Sequence, residues 1–474
     1  MRKITCSCYL FLVLICAVAA QTLSPAVRAF VSVDSAVVVL SHVRVIDGTG
    51  GPAREDQTVV VANGKIQAVG AAASTPQPEG AKVMDLTGYT VIPGLVGMHD
   101  HLFYPSGGVP IYNTLGFSAP RLYLAGGVTT LRTTGSIEPY TDLNLKRDID
   151  QGRIPGPELY VTGPYLEGAG SFTPQMHELT GPNDARQTVT FWAEQGATSF
   201  KAYMNITRDE LAAAIEEAHR RGIKVTGHLC SIGFREAAQL GIDNLEHGLV
   251  VDSEFVADKK PDVCPPTPAV RASLVKLDVA GEAVQQTIRD LVARNVAVTS
   301  TLPVFETLVP NRPPLRQAAL DAMLPEARVA YLAQRARIGE SKDSPWPELL
   351  QKEMRFEYAF AKAGGLLLAG PDPTGYGGVV PGLGDQREVE LLVEAGFTPV
   401  EAIHIATANG AQWLGELNRI GTIEPGKQAD LVVIKGDPSR NINDIEKVEV
   451  VFKNGVGYDS AKLMESARGS VGLH

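Results

Sequence analysis

A chain of 474 residues has room for one large catalytic domain and a smaller one. Its composition, 44% hydrophobic and 20% charged, excludes a disordered chain or a bundle of membrane spans. The net charge of −10 is spread along the chain, which speaks against a nucleic-acid-binding surface and names no substrate.

The first element reads as a leader. Arg2 and Lys3 precede an uncharged run over residues 4–20, with Ala17, Ala19 and Ala20 at its end. This is the layout of a secretory signal peptide over 1–20, cleaved after Ala20. Its apolar core is short for a membrane anchor. The expectation is an exported protein without a stable anchor, secreted or periplasmic in a Gram-negative host. Three of the five cysteines lie in that segment, leaving Cys230 and Cys264, whose pairing the sequence leaves open.

Residues 36–92 carry short β-branched runs separated by turns. VVVLSHVRVID reads as a strand, and TVVVANGKIQAVG as a hairpin about Asn63-Gly64. IEPGKQADLVVIKGD and VEVVFKNG repeat this grammar within 414–460. Two β-rich flanks therefore predict one small β-sandwich built from both ends of the chain.

Between them, over 93–413, strands and helices alternate. GATSFKAY is a strand, and Thr207 then opens a helix with Glu210 completing a capping box. IKVTGH, IDNLEHG, VAVTSTLP and GLLLAGPD are further strands; helices are expected from about Gln386 and from Thr398. Repeated strand–helix units over this length predict an α/β fold with a (β/α)8 TIM-type barrel. A doubly wound open sheet is the alternative, but no glycine fingerprint for a dinucleotide or phosphate favours it. Two stretches, 258–268 and the insertion from Pro303 to about Lys362, read as long excursions at the face that shapes specificity.

Catalytic groups of such barrels sit where strands end. His99 and His101 end the first barrel strand, two apart and so on one face. Lys201, His228, His247 and Asp372 end later ones. Imidazole and carboxylate suit zinc-like divalent ions. Four further residues are weaker candidates. His177 lies in a loop, as a substrate contact or a surface residue. Tyr203 shares the inward face of Lys201, as an oxyanion donor or a packing residue. Arg132 would greet a substrate carboxylate or pair within the barrel, and Cys230 reads as a small buried hydrophobe. His219 ends a helix and His404 lies away from any strand end, so neither is a ligand candidate.

VIPGLVGMHDH, SFKAY, TGHL, NLEHG and AGPD, framed by the split β-sandwich, resemble the amidohydrolase superfamily over residues 36–455. The likeness is to its imidazolonepropionase-like and metal-dependent prolidase-type branch. That resemblance implies two divalent ions, zinc first among them. His99, His101 and Asp372 would hold one ion, His228 and His247 the other, with a carbamylated Lys201 between them. A water shared by the two ions becomes the nucleophile near neutral pH. Asp372 shuttles its proton to the leaving amine. One departure is plain: GMHDH lacks the leading Asp common in the superfamily and carries Asp100 between the histidines, facing the other way.

The expected function is hydrolysis of an amide C–N bond in a small molecule, in dipeptides or N-acyl amino acids, with lactams, carbamates and toxin amides as further substrates. A mononuclear deaminase or cyclic-imide hydrolase is the alternative enzyme, in which Lys201 would not bridge. An inactive barrel scaffold is the non-enzyme alternative. A homo-oligomer is expected from the barrel type.

Overall fold

The computed structural model describes residues 23–105 and 111–472, so the expected leader at 1–20 lies outside the described residues. Among the described residues no helix is long and apolar enough to cross a membrane.

Eight parallel strands form the centre. They are β1 (Leu95–Asp100), β2 (Val128–Thr133), β3 (Glu158–Leu166) and β4 (Ser199–Ala202), followed by β5 (Lys224–Gly227), β6 (Asn244–Glu246), β7 (Ala297–Ser300) and β8 (Leu367–Ala369). They pair in strict sequence order from β1 to β8. The barrel is nearly closed. Its seam is stitched where the Asp372 N–H donates to the His99 carbonyl at 3.0 Å. Gly370 makes this approach feasible, because a Cβ there would collide with the backbone of His99.

The strand residues that face the surrounding helices are apolar, while those alternating with them, such as Lys201, Thr226, Asn244, Glu246 and Thr299, are polar and buried. Phe200, Val225, Leu245 and Val298 are all fully buried in the main core. The helices start where short-range chemistry places them. Thr207 caps Arg208–Arg220 through a reciprocal box with Glu210, and Thr398 does the same with Glu401 for Pro399–His404. The helix expected from Gln386 begins earlier, at Leu383, where Asp385 accepts from the Gly382 N–H.

The insertion after β7 is helical throughout most of its length, with Leu302–Glu306, Gln317–Ala322, Pro325–Gly339 and Trp346–Lys362. The last of these buries Leu349, Met354, Phe356 and Phe360 and is the crossover back to β8.

Both flanks join in one continuous nine-stranded sheet, which starts at Val31–Val33, before residue 36. Leu431–Lys435 lies between Tyr89–Pro93 and Val448–Lys453, so the end of the chain is inserted beside its beginning. Alternation decides its two faces. Leu431 and Val433 pack on a core of the sheet's own with Val38, Leu40 and Val59, whereas Val432 and Ile434 face the barrel core. The Asn63-Gly64 hairpin forms as its sequence demands, both residues having positive φ.

Candidate metal centre

The side chains expected at the strand ends converge at one rim. β1 delivers His99 inside the strand and His101 one residue past it. Lys201 projects from β4, His228 and His247 directly follow β5 and β6, and Asp372 lies three residues beyond β8. His247 and Asp372 both adopt left-handed backbone, φ 71° and 53°, a conformation disfavoured for residues with a side chain and met often where a site dictates geometry.

Asp372 sits at the centre. Its carboxylate lies 3.4 Å from His101 Nε2, and 3.8 Å from both His99 Nε2 and His247 Nδ1. The Thr374 hydroxyl donates to it at 2.7 Å. His99, His101 and Asp372 each offer a ligand atom, and these atoms lie within 4.8 Å of one another. Lys201 Nζ stands 3.2 Å from His99 Nε2. The His228 ring is 4.3 Å from that of His247, and both line the same pocket as Lys201 and Asp372.

Burial sets the protonation. Desolvation lowers all four imidazoles, His101 to about 4 and His228 to about 3, with the Lys201 charge adding to the effect at both. Neutral imidazole is the form that binds a metal. Burial also lowers Lys201, to about 8, against the pull of Glu246 and Asp372. For Asp372 burial works upward, yet the surrounding histidines prevail and hold the carboxyl well below its usual range.

Glu246 is a member of the site that the sequence reading passed over. Its carboxylate accepts from His99 Nδ1 at 2.8 Å and from Arg132 at 2.8 Å, with Thr226 and Asn244 as further donors. It fixes which His99 nitrogen faces the site and orients the ring, as carboxylates behind metal histidines do. A carboxylate ending a strand on the same face as Asn244, next to His247, was the available signal.

The weaker candidates separate cleanly. Arg132 is fully buried behind the histidines, bound to Glu246 and, through Nε at 3.0 Å, to the Met98 carbonyl. It pairs within the barrel and does not reach the pocket. His177 is corrected: its side chain is 53% exposed and held at 3.1 Å by Asp184, so it stands on the surface while neighbouring Met176 lines the pocket. Tyr203 does line the pocket, its ring 4.9 Å from that of His228. Cys230 forms a disulfide with Cys264, Cα atoms 4.8 Å apart, tying the loop after His228 to the proline-rich stretch 258–268. Asp100 points away from the imidazoles towards Asp385, and burial raises its carboxyl. His219 pairs with Asp243 at 2.9 Å and His404 with the Gly48 carbonyl at 2.7 Å, both outside the site.

An eight-stranded parallel barrel with histidines, a lysine and an aspartate at its carboxyl rim defines a class, the metal-assisted hydrolases built on this scaffold. The chain belongs to the amidohydrolase family, whose model matches residues 90–456. It is a hydrolase of carbon–nitrogen bonds. It is 24% identical over 426 residues to the dihydroorotase of Pelotomaculum thermopropionicum, covering 84% of this chain and 89% of that one. Among solved structures it resembles bottromycin amidohydrolase, with a TM-score of 0.68, 22% identity, and coverage of 94% of this chain and 96% of the other. It also resembles a Xaa-Pro dipeptidase solved with bound methionine, with a TM-score of 0.66, 20% identity, and coverage of 89% and 100%.

Proposed function

We propose that the protein is an exported, binuclear metal-dependent hydrolase that cleaves the amide bond of dipeptides or N-acyl amino acids. The observation that carries this reading is the convergence of four neutral imidazoles, one carboxylate and one buried lysine on a single rim. The donor set fits divalent ions. His101 Nδ1 and His247 Nε2 are buried with no hydrogen-bond partner among the described residues, and the ligand atoms of His99, His101 and Asp372 already cluster.

His99, His101 and Asp372 would hold one ion and His228 and His247 the other, with Lys201 carbamylated by CO2 between them. When bound, the ions would polarise the scissile carbonyl and activate a water for attack. The chain's own residues would do the rest. Asp372 would accept the water's proton on its carboxylate and deliver it to the leaving nitrogen. The Tyr203 hydroxyl, which takes part in no hydrogen bond among the described residues, would donate to the oxygen that gains charge. Glu246 would keep His99 in its productive orientation. Lys201 among the ligands favours two ions over the single ion of a deaminase. The leader-like sequence over 1–20 and the Cys230–Cys264 disulfide support export, since disulfides persist in oxidising compartments.

Elemental analysis of protein expressed with zinc and bicarbonate, paired with a screen of dipeptides and N-acyl amino acids, tests this reading. Two equivalents of metal per chain and a hydrolysed amide are expected. One equivalent would shift the assignment to mononuclear chemistry, and no metal after reconstitution would defeat it.

A further inference from the structure

The site has two unlike halves. His101 stacks on Phe103 with ring centroids 4.4 Å apart. Phe103 meets Tyr112 at 5.1 Å, Tyr112 meets Phe172 at 6.4 Å, and Phe172 meets Tyr203 at 6.0 Å. Tyr203 leads back to His228, which continues through His247 and His99 to His101. Eight rings thus close a circuit, in which the four imidazoles face an arc of four carbocyclic rings. Tyr165, Met176 and Ile137 back that arc.

Charge is absent from the arc. Among the described residues lining this pocket, the ionisable groups other than the phenols are the metal-ligand candidates themselves. The ionisable members beside the rings, Tyr112, Tyr165 and Tyr203, are phenols, which are uncharged at neutral pH. The buried guanidinium nearest in the sequence pattern, Arg132, is locked on Glu246. Phe172 is the conspicuous member. A phenylalanine 42% exposed at the mouth of a pocket, in a loop that also holds Gly168 and Gly170, presents apolar surface that the described residues leave partly uncovered.

We propose that this arc is a recognition pocket for a planar, uncharged aryl group next to the scissile amide, and that Phe172 is its specificity-determining residue. Offset and edge-on packing against several rings rewards a flat apolar group. A charged group would be desolvated there without a counter-charge. The inference rests on the amide-hydrolase reading above and narrows its substrate class.

The test uses the full-length, zinc-loaded protein and two matched series, N-acyl alanines and dipeptides with C-terminal alanine. In each, the group beside the scissile bond is phenylalanyl or phenylacetyl, alanyl or acetyl, and aspartyl or succinyl. The expected result is a kcat/KM ratio of aryl over methyl of at least about tenfold in one series, with the acidic member slowest. Phe172→Ala should collapse that ratio several-fold, and Phe172→Leu should recover part of it; a merely structural residue would lower all substrates together. An unchanged ratio in Phe172→Ala, or equal rates for acidic and aryl members, would overturn the proposal while leaving amide hydrolysis standing. Binding of phenylacetamide against acetamide, followed by saturation-transfer NMR on wild type and Phe172→Ala, reads the same preference without turnover. Aryl binding lost in the variant supports the pocket even if no substrate in the panel is cleaved. Equal binding to both proteins refutes it.

Discussion

Two groups of buried carboxylates in this molecule obey the same desolvation rule and end in opposite states. At the rim, Glu246 and Asp372 face Arg132, Lys201 and imidazoles, and both are held below the usual carboxylate range despite burial. Behind β7, Glu353, Glu357 and Glu388 are just as buried but face neutral donors and other carboxyls, Asp252 and Asp385 among them. Val250 N–H donates to Glu353 at 2.7 Å, the Ser300 hydroxyl to Glu357 at 2.9 Å, and Leu302 N–H to Glu388 at 3.0 Å. Burial, then the neighbouring acids, raises Glu357 and Glu388 well above the usual range. Burial alone does not tell a working acid from a structural one. The presence of a cation does.

Replacing an acid by its amide discriminates the two groups. The largest effect is expected for Asp372→Asn, which removes both a ligand charge and the proton acceptor. Turnover should fall by about a thousandfold or more, with metal content reduced in elemental analysis. Glu246→Gln comes next. It strips the counter-charge from the fully buried Arg132, at a cost of about 3 kcal/mol in denaturant unfolding. It should also weaken metal retention by about 10- to 100-fold through misoriented His99.

Asp142 extends the cation-free group to the helix Pro139–Asp150. It is buried, and desolvation raises it to about 7 against the Ser136 hydroxyl donating at 2.6 Å. A carboxyl raised on folding is protonated in the native state while the unfolded chain is already ionised. Its stabilising contribution is therefore complete below about pH 4 and is lost as pH rises through 7. Wild type should lose about 2 kcal/mol from this group between pH 5 and 7.5. In Asp142→Asn the melting temperature should vary correspondingly less with pH over that window. The smallest effect is expected for Glu357→Gln, where a neutral amide replaces a neutral acid, below about 1 kcal/mol. A loss as large as that of Glu246→Gln would abolish the distinction between the two groups.

Much of the site was legible because its information is local. His99 and His101 declare their shared face by spacing, and Lys201, His228, His247 and Asp372 each end a strand-like run. The barrel supplies the rest, since strand ends meet at one rim. What escaped depends on contacts distant in sequence. The choice of Arg132 between substrate and Glu246 is made across β2 and β6, 114 residues apart. His177 and Met176 are neighbours in one loop, and only the folded path of that loop decides which faces inward. The aromatic arc draws Phe103, Tyr112, Phe172 and Tyr203 from separate strand ends and loops, with no spacing to announce it. The disulfide was equally hidden, because Cys264 lies in a proline-rich stretch with no periodicity to read.

The insertion of Leu431–Lys435 beside Tyr89–Pro93 has a consequence for how the molecule comes into being. A ribosome releases Tyr89–Pro93 long before its partner exists, and that strand's edge keeps bare amide and carbonyl groups while the whole barrel is being made. Barrel units can zip up stepwise, each strand docking on the one before it. The flanking sheet cannot, and its half of the core, Val38, Val59 and Val91, stays open until the last strands arrive. Completion of that sheet is a late, non-local step, slow by its topology and exposed to sticking while it waits.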